Sequence, residues 1–292
     1  MPSYKIYLID AFTNVKFAGN QAAVCLIPAV CLIPQKLSDK DYQQIAAEFN
    51  LSETAYPLPL DANNSEIATK FSLRWFTPTV EVALCGHATL ATAHVIFNEI
   101  GNKSSQLTFE TLSGNLTVKK HNDQLVMNFP QYKKWVAYDS DNTQNQTLNL
   151  YENRPKEDFI EKIVELMTPP GKCRYIALAV EARKLLLVLD EKTTKCELLS
   201  ITHHNDDLLM AHDGSIVRGV VVTLSPKDPK SQGSAQCALG PFWAKAKHTK
   251  GPFYAFQCYP GRGAQFTVEF PNEDRVNIYG NAVTVLRGNL EL

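Results

Sequence analysis

The segment CGHATLATAH, residues 85–94, decides how the fold of this chain is interpreted. A cysteine, a glycine and a histidine begin it, and an apolar run follows as far as Ile100. The apolar residues of this run point in nearly every direction of a helical projection, which is typical of a helix that is buried on most sides. The pattern therefore predicts a buried helix from Gly86 to Ile100, ended by Gly101 at its C′ position.

The start of this predicted helix is a candidate site for a small acid. The first turn of a helix leaves backbone N–H groups free and carries a partial positive charge, so it attracts carboxylates. We expect this charge to lower the pKa of His87 and to favour a neutral imidazole. The alternative for His87 is that it only forms hydrogen bonds with nearby backbone groups. For Cys85 two interpretations stay open, a nucleophile or a small buried residue.

A second candidate for proton chemistry is Glu53, in the motif NLSETAY. The motif lies between a helix that ends near Asn50 and a predicted strand. A carboxylate beside Leu51 and Ala55 can be desolvated and can then act as a general base. A solvated surface glutamate is the alternative interpretation.

The elements around these motifs alternate between strands and helices. The stretch LSDKDYQQIAAEFN predicts a helix, with Ser38 as N-cap, Asp41 three residues later and Tyr42, Ile45, Ala46 and Phe49 on its buried face. The second half predicts further strands around one helix.

The hexapeptide AVCLIP occurs twice in direct succession, at 23–28 and 29–34. We expect one copy in the sheet and the other outside it, with no functional role.

Composition limits the class of protein. The chain has 292 residues, 45% of them apolar and 20% charged, with a net charge of −1 and no basic block. Nucleic acid and an anionic membrane surface are therefore not expected partners. Its seven cysteines show no CxxC spacing, and the N-terminus has no apolar segment typical of a signal peptide. These features predict a reduced, cytoplasmic protein.

Four segments together resemble the phenazine biosynthesis-like (PhzF-like) family: IDAFTNVKFAGNQAAV, NLSETAY, LRWFTPTVEVALCGHATLA and the closing GNAVTVLRGNLEL. They occur in the family's order, and the resemblance covers about the first 130 and about the last 45 residues well. The resemblance implies an α/β (α+β) chain with the diaminopimelate epimerase-like fold. In that fold two pseudo-symmetric lobes, here residues 1–130 and 131–292, each wrap strands around a central helix. The last strand, about 280–292, is expected to pack back onto the first lobe.

The resemblance also implies a function. It implies a cofactor-independent isomerase, with no metal or organic cofactor. The enzyme would move a proton on a small unsaturated, amino or hydroxy acid that binds in the cleft between the two lobes. Glu53 falls on the family's catalytic acid/base. The substrate-binding positions fall on residues of both lobes, namely Gly86, His87, Asp228, Gly233 and Ser234. Homodimerisation is common in the family, so a homodimer is the corresponding expectation.

The second-lobe motif departs from the family pattern. The sequence reads SPKDPKSQGSAQC, with Lys227 in place of the usual acid, Gln232 in place of threonine and one additional residue after Asp228. A catalytically impaired protein that binds a small acid or a protein partner is therefore the alternative function.

Two other chemistries are weaker hypotheses. A two-cysteine racemase would use Cys85 and a second thiol at the start of the second-lobe helix. Cys237 lies beyond that helix start, so it is in the wrong place for the second thiol. The segment HHNDDLLMAHD, residues 203–213, is rich in metal ligands, but its spacing matches no known site and it predicts a polar loop. His94 and the pair Cys25 and Cys31 are predicted to be packing residues.

Overall fold

A computed structural model describes the chain in residues 3–27, 29–30, 33–34, 37–138, 152–201, 205–224, 236–246, 251–258 and 261–292. The chain divides into two compact units. Unit 1 comprises Met1–Phe129, Pro260–Phe266 and Asn277–Leu292, and unit 2 comprises Pro130–Tyr259 and Thr267–Val276.

The first part of the chain is rich in strands. They are β1 (Ser3–Ala11), β2 (Asn20–Cys25), β3 (Ala29–Val30), β4 (Ile33–Pro34), β5 (Thr54–Pro59), β6 (Lys70–Phe76), β7 (Glu81–Val82), β8 (Gln106–Thr111), β9 (Gly114–His121) and β10 (Gln124–Pro130). The last strand of the chain, β19 (Ala282–Glu291), pairs antiparallel with β1. Hydrogen-bonded neighbours follow in the order β10-β9-β8-β6-β5-β2-β1-β19. In this series the pairs β2–β5 and β6–β8 are parallel.

Helix α1 (Asp39–Phe49) forms as its sequence predicts. The Ser38 hydroxyl accepts from the Asp41 N–H while the Asp41 carboxylate accepts from the Ser38 N–H, so the predicted cap is a complete capping box. Tyr42, Ile45 and Ala46 are buried on its inner face. The helix ends at Asn50, whose left-handed backbone (φ 48°) turns the chain toward β5.

Helix α2 (Gly86–His94) is buried along almost its whole length and packs against β1, β2, β5 and β19. The predicted helix is confirmed, and it is α-helical up to His94. The next residues, Val95–Glu99, form a π-helical turn instead, with the Ile100 N–H bonded to the Val95 carbonyl at 2.9 Å. The predicted helix from Gly86 is therefore present, and its last turn is π-helical, a distinction that apolar periodicity does not make. Gly101 follows with φ 81°.

The two AVCLIP copies take different structures, as expected. The first contributes its Ala23–Cys25 to β2, and Leu26 and Ile27 after it are buried. From the second copy, Ala29–Val30 pairs antiparallel with Ile33–Pro34 as a separate two-stranded hairpin. One copy therefore lies in the main sheet and the other outside it.

Unit 2 contains a five-stranded sheet. The strands of the second half are β11 (Trp135–Tyr138), β12 (Glu152–Arg154), β13 (Cys173–Ala179), β14 (Lys184–Leu189), β15 (Gly219–Leu224), β16 (Phe253–Gln257), β17 (Ala264–Glu269) and β18 (Arg275–Gly280). The sheet order is β12-β11-β13-β14-β15. The helices are α3 (Asp158–Met167), α4 (Lys195–Leu199), α5 (Asn205–Ala211) and α6 (Gln236–Ala246).

Alternate residues of this sheet pack on different helices, as the two-residue period of a strand requires. One face, which includes Tyr175 and Leu186, contacts Phe242 and Trp243 of α6. The opposite face, which includes Ile176, packs with α3 side chains such as Ile160 and Ile163. A helix on each face accounts for strands that are buried on both sides.

The prediction of a single helix in the second half is wrong, because α3, α4 and α5 also form. The spacing of Ile160, Ile163 and Met167 carried the signal for α3, since these buried residues recur at helical intervals. Residues 205–211, predicted as part of a polar loop, form α5, whose Leu208 packs against the same apolar cluster as α3. No helix among the described residues combines the length and apolar character needed to cross a bilayer.

Candidate active site

Glu53 lies where the chain leaves α1 and enters β5. Two interactions with β2 hold this junction: the Ala23 N–H donates to the Glu53 carbonyl at 3.2 Å, and the Ser52 hydroxyl donates to the Gln21 carbonyl at 3.3 Å. The parallel pairing of β2 with β5 begins at the next residue, Thr54. The backbone that carries the Glu53 side chain is therefore fixed by the sheet.

Cys85 and His87 lie at the N-terminus of α2. Cys85 is the N-cap residue, with extended backbone (φ −140°, ψ 119°) and no side-chain hydrogen bond to the cap. Gly86 is the first helical residue. A Cβ at Gly86 would meet Phe129 at 3.9 Å, which is ordinary van der Waals contact, so packing within the protein does not demand glycine there.

The junction before β5 and the start of α2 bring their polar side chains together. The His87 Nε2 lies 3.0 Å from the Glu53 Oε2 and 3.2 Å from the Ser52 Oγ. On the other side of the ring, Nδ1 lies 3.6 Å from the Cys85 Sγ. The His87 and Glu53 side chains are 16% and 18% exposed, respectively, so both are mostly desolvated yet accessible.

The His87 environment favours the charged imidazolium. Burial by itself lowers the pKa of His87, but the Cys85 sulfur and the Glu53 carboxylate more than offset it and hold the pKa well above 6.5. The prediction of a neutral imidazole is therefore wrong. It took account of the helix dipole but not of a carboxylate 3.0 Å away on a different element. Burial, with Glu53 nearby, raises the pKa of the Cys85 thiol.

Two residues near Glu53, Cys85 and Ser52, make contacts that the sequence did not predict. Cys85 is buried, 6% exposed, as expected for a small packed residue, but it also contacts the His87 ring. Ser52 was not among the predicted site residues, although it directly precedes Glu53 in the SET motif. Its position there is the signal that would have identified it.

The second-lobe residues of the predicted site are Asp228, Gly233 and Ser234, and they lie outside the described residues. The side chain of Cys237, the candidate second thiol of a racemase, is outside them as well. The described part of the site therefore comprises Ser52, Glu53, Cys85, Gly86 and His87.

The candidate metal ligands of residues 203–213 do not form a cluster where they are described. His203 and His204 lie outside the described residues. His212 instead accepts from the Gly214 N–H at 2.9 Å and packs on the Phe159 ring at 4.4 Å between centroids. In the described part of the chain, one group of three His, Cys, Asp or Glu side chains has the proximity that a metal ion needs: Glu53, Cys85 and His87.

Comparisons with known proteins agree with this fold. The family model of phenazine biosynthesis-like proteins matches residues 9–217. A phenazine biosynthesis-like domain-containing protein from Bos taurus is 35% identical, over 98% of this chain and 98% of its own. The chain thus belongs to the phenazine biosynthesis-like family.

Bacterial relatives extend the comparison. A Halalkalibacterium halodurans protein named an uncharacterized isomerase is 33% identical over the full length of both chains. The crystal structure of a PhzF family protein from Enterococcus faecalis matches with a TM-score of 0.75 and 30% identity, and covers both chains completely. At the level of fold alone, a hydroxyproline epimerase from Agrobacterium vitis matches with a TM-score of 0.52 and 13% identity, over 99% of this chain and 92% of that one. The predicted epimerase-like α/β fold is confirmed.

Proposed function

We propose that this protein is a cofactor-independent isomerase that moves a proton on a small unsaturated, amino or hydroxy acid, with Glu53 as its acid/base. The observation that carries the proposal is the 3.0 Å contact between the Glu53 Oε2 and the His87 Nε2 at the N-terminus of α2. Family membership adds to it, since bacterial relatives are named isomerases. Nothing in these relatives' names defines the substrate.

The chemistry requires one group that removes a proton from carbon and returns it to another position of the same molecule. The Glu53 carboxylate accepts the proton, is then a carboxylic acid, and donates the proton in the second half of the reaction. The substrate is isomerised, and no electron is gained or lost. Proton transfer by a positioned side chain typically contributes about 10²- to 10⁴-fold in rate.

Negative charge develops on the substrate when the proton leaves, and positive groups must stabilise it. The raised pKa of His87 favours an imidazolium beside Glu53. The backbone N–H groups of the first turn of α2 add a partial positive charge at Gly86. We infer that the substrate carboxylate binds at this helix start, with His87 close to the carbon that loses its proton.

Exchange of substrate hydrogen with solvent tests the proposal. The protein is incubated in D₂O with a panel of small unsaturated, amino and hydroxy acids, and deuterium incorporation is followed by mass spectrometry. We expect exchange of at least one acid, reduced about 10²- to 10⁴-fold in Glu53→Gln. Glu48→Gln is the matched control, because Glu48 is an exposed residue of α1. Equal exchange by wild type and Glu53→Gln would exclude Glu53 as the base.

The altered motif SPKDPKSQGSAQC favours the second candidate function, a small-acid-binding protein without turnover. Ligand-observed NMR with the same acids separates the two functions. An acid that binds the wild type saturably but exchanges no deuterium would support the binding protein and contradict the isomerase.

A further inference from the structure

Ser52 gives the ring of His87 a second oxygen partner beside Glu53. The Ser52 Oγ lies 3.2 Å from the His87 Nε2, and the Glu53 Oε2 lies 3.0 Å from the same nitrogen. The other ring nitrogen, Nδ1, faces the Cys85 sulfur at 3.6 Å. The two nitrogens therefore have separate partners, and both oxygen atoms lie on the Nε2 side.

The hydroxyl hydrogen of Ser52 points away from this ring. It is donated to the Gln21 carbonyl at 3.3 Å, and a serine hydroxyl has one hydrogen to donate and two lone pairs. The oxygen can therefore only accept from His87, so Nε2 must carry a hydrogen for this contact to be a hydrogen bond. Gln21 belongs to β2, which pairs with β5, so the sheet fixes the group that orients the Ser52 hydroxyl.

Ser52 and Glu53 differ in what proton transfer does to them. The Glu53 carboxylate becomes an uncharged carboxylic acid when it takes the substrate proton, and its attraction for the imidazolium is then lost. The Ser52 hydroxyl keeps the same charge throughout. It is therefore the partner that holds the Nε2 hydrogen of His87 in both halves of the reaction.

We propose that Ser52 is a positioning residue, which keeps the hydrogen on the His87 Nε2 and holds the ring in place while Glu53 is uncharged. When His87 becomes neutral, the proton that it loses leaves from Nδ1. The tautomer half of this inference stands on the contacts of Ser52 with Gln21 and His87. The catalytic half rests on the proposed isomerase function and deepens it.

Nitrogen NMR of the histidine ring tests the tautomer half without any activity measurement. The full-length protein carries isotope-labelled histidine, and the His87 signals, assigned by their loss in His87→Gln, are recorded above the titration midpoint. Glu53→Gln imitates the uncharged carboxylic acid. We expect the Nε2–H tautomer to predominate in the wild type and in Glu53→Gln. In the double variant Ser52→Ala/Glu53→Gln, the ratio of Nδ1–H to Nε2–H should rise about 2- to 10-fold, the effect of one lost hydrogen bond.

The variants of Ser52 separate its hydroxyl from its place in the fold. Ser52 is exposed, so its substitution should leave the circular dichroism spectrum unchanged. In the Glu53→Gln background, Ser52→Thr keeps the hydroxyl and should keep the parent ratio, whereas Ser52→Cys, a weak acceptor of similar size, should behave as Ser52→Ala does. Ser105→Ala is the matched control, because Ser105 is an exposed serine directly before β8. A predominant Nδ1–H tautomer in the wild type, or a ratio that neither Ser52→Ala nor Ser52→Cys changes, would overturn the inference.

Deuterium exchange tests the catalytic half. Ser52→Ala should lower kcat about 2- to 10-fold with a smaller change in KM, and Ser52→Thr should recover most of the loss. A wild-type kcat in Ser52→Ala contradicts the catalytic half. The expected change of tautomer in a protein that exchanges no acid retains the role of Ser52 on the ring and removes the isomerase.

Discussion

The two ends of α2 carry the same side chain in opposite environments. At the N-terminal end, His87 is partly exposed and lies 3.0 Å from the Glu53 carboxylate, and its pKa is raised. At the C-terminal end, His94 is 9% exposed, and burial lowers its pKa. The difference shows that position on one buried helix does not fix what a histidine does. The groups that other elements bring to the ring decide it.

At the C-terminal end of α2, both ring nitrogens of His94 have hydrogen-bond partners. The Thr284 hydroxyl donates its hydrogen to the Glu99 Oε1 at 2.6 Å, so it can only accept from the His94 Nε2, 3.0 Å away. The remaining nitrogen, Nδ1, then accepts from the Asn98 amide at 3.0 Å. One neutral tautomer satisfies every bond, and the Arg287 guanidinium completes the network through Glu99. His94 is therefore a packing residue, as the sequence predicts.

The largest expected effect is on deuterium exchange, when His87 at the N-terminal end of α2 is replaced. His87→Gln keeps a side chain of similar size and removes the positive charge beside Glu53. We expect deuterium exchange to fall about 10²- to 10³-fold, the loss typical when one stabilising donor of a developing charge is removed. The measurement is the exchange rate for an acid that the wild type labels. His94→Gln is the matched control and should retain wild-type exchange in the folded protein, and a similar loss in both variants would contradict the division between the two ends.

The complementary change affects stability instead. His94→Leu removes the ring nitrogen that donates to the buried Thr284 hydroxyl, and it also removes the partner of the exposed Asn98 amide. We expect the free energy of unfolding to fall by about 1–3 kcal/mol. Urea denaturation followed by circular dichroism measures it. His87→Gln should change the same quantity less, and the reverse order would show that the ion pair at the N-terminal end supports the fold more than the buried network does.

The two histidines should also give stability opposite dependences on pH. His87 has a raised pKa, so its contribution is complete below about 6.5 and is lost as pH rises through its folded pKa. His94 has a lowered pKa, so its contribution is lost as pH falls below about 6.5 toward its folded pKa. NMR titration of the two ring protons should give midpoints on opposite sides of 6.5. Glu53→Gln should lower the His87 midpoint and leave that of His94 in place.

The smallest expected change refines the acid-binding half of the proposal. Gly86→Ala adds a methyl group that the protein itself accommodates, since its nearest neighbour is Phe129 at 3.9 Å. Stability should stay within about 1 kcal/mol of the wild type. If a substrate carboxylate binds at the start of α2, the methyl group crowds it and KM for the labelled acid rises more than kcat falls. An unchanged KM would remove the substrate carboxylate from this helix start.

Local features were the ones that sequence patterns predicted well. The cap of α1 depends on Ser38 and Asp41, three positions apart, and it forms as predicted. The burial of α2 follows from its own composition. Errors arose where a distant element decides the outcome: the pKa of His87 depends on Glu53, and the helix at 205–211 depends on packing against α3. The spacing of residues within one segment gives no information about neighbours from other segments.

By itself the sequence determined the chemical inventory of the site, since the motifs SET and CGHAT supply Ser52, Glu53, Cys85, Gly86 and His87. Only the tertiary structure decided that these residues meet. Ser52 and His87 are 35 positions apart, and they come within 3.2 Å because β5 pairs with β2 while α2 packs on both strands. That contact depends on the pairing of strands distant in sequence, which is why the motifs supplied the groups but did not predict the raised pKa of His87.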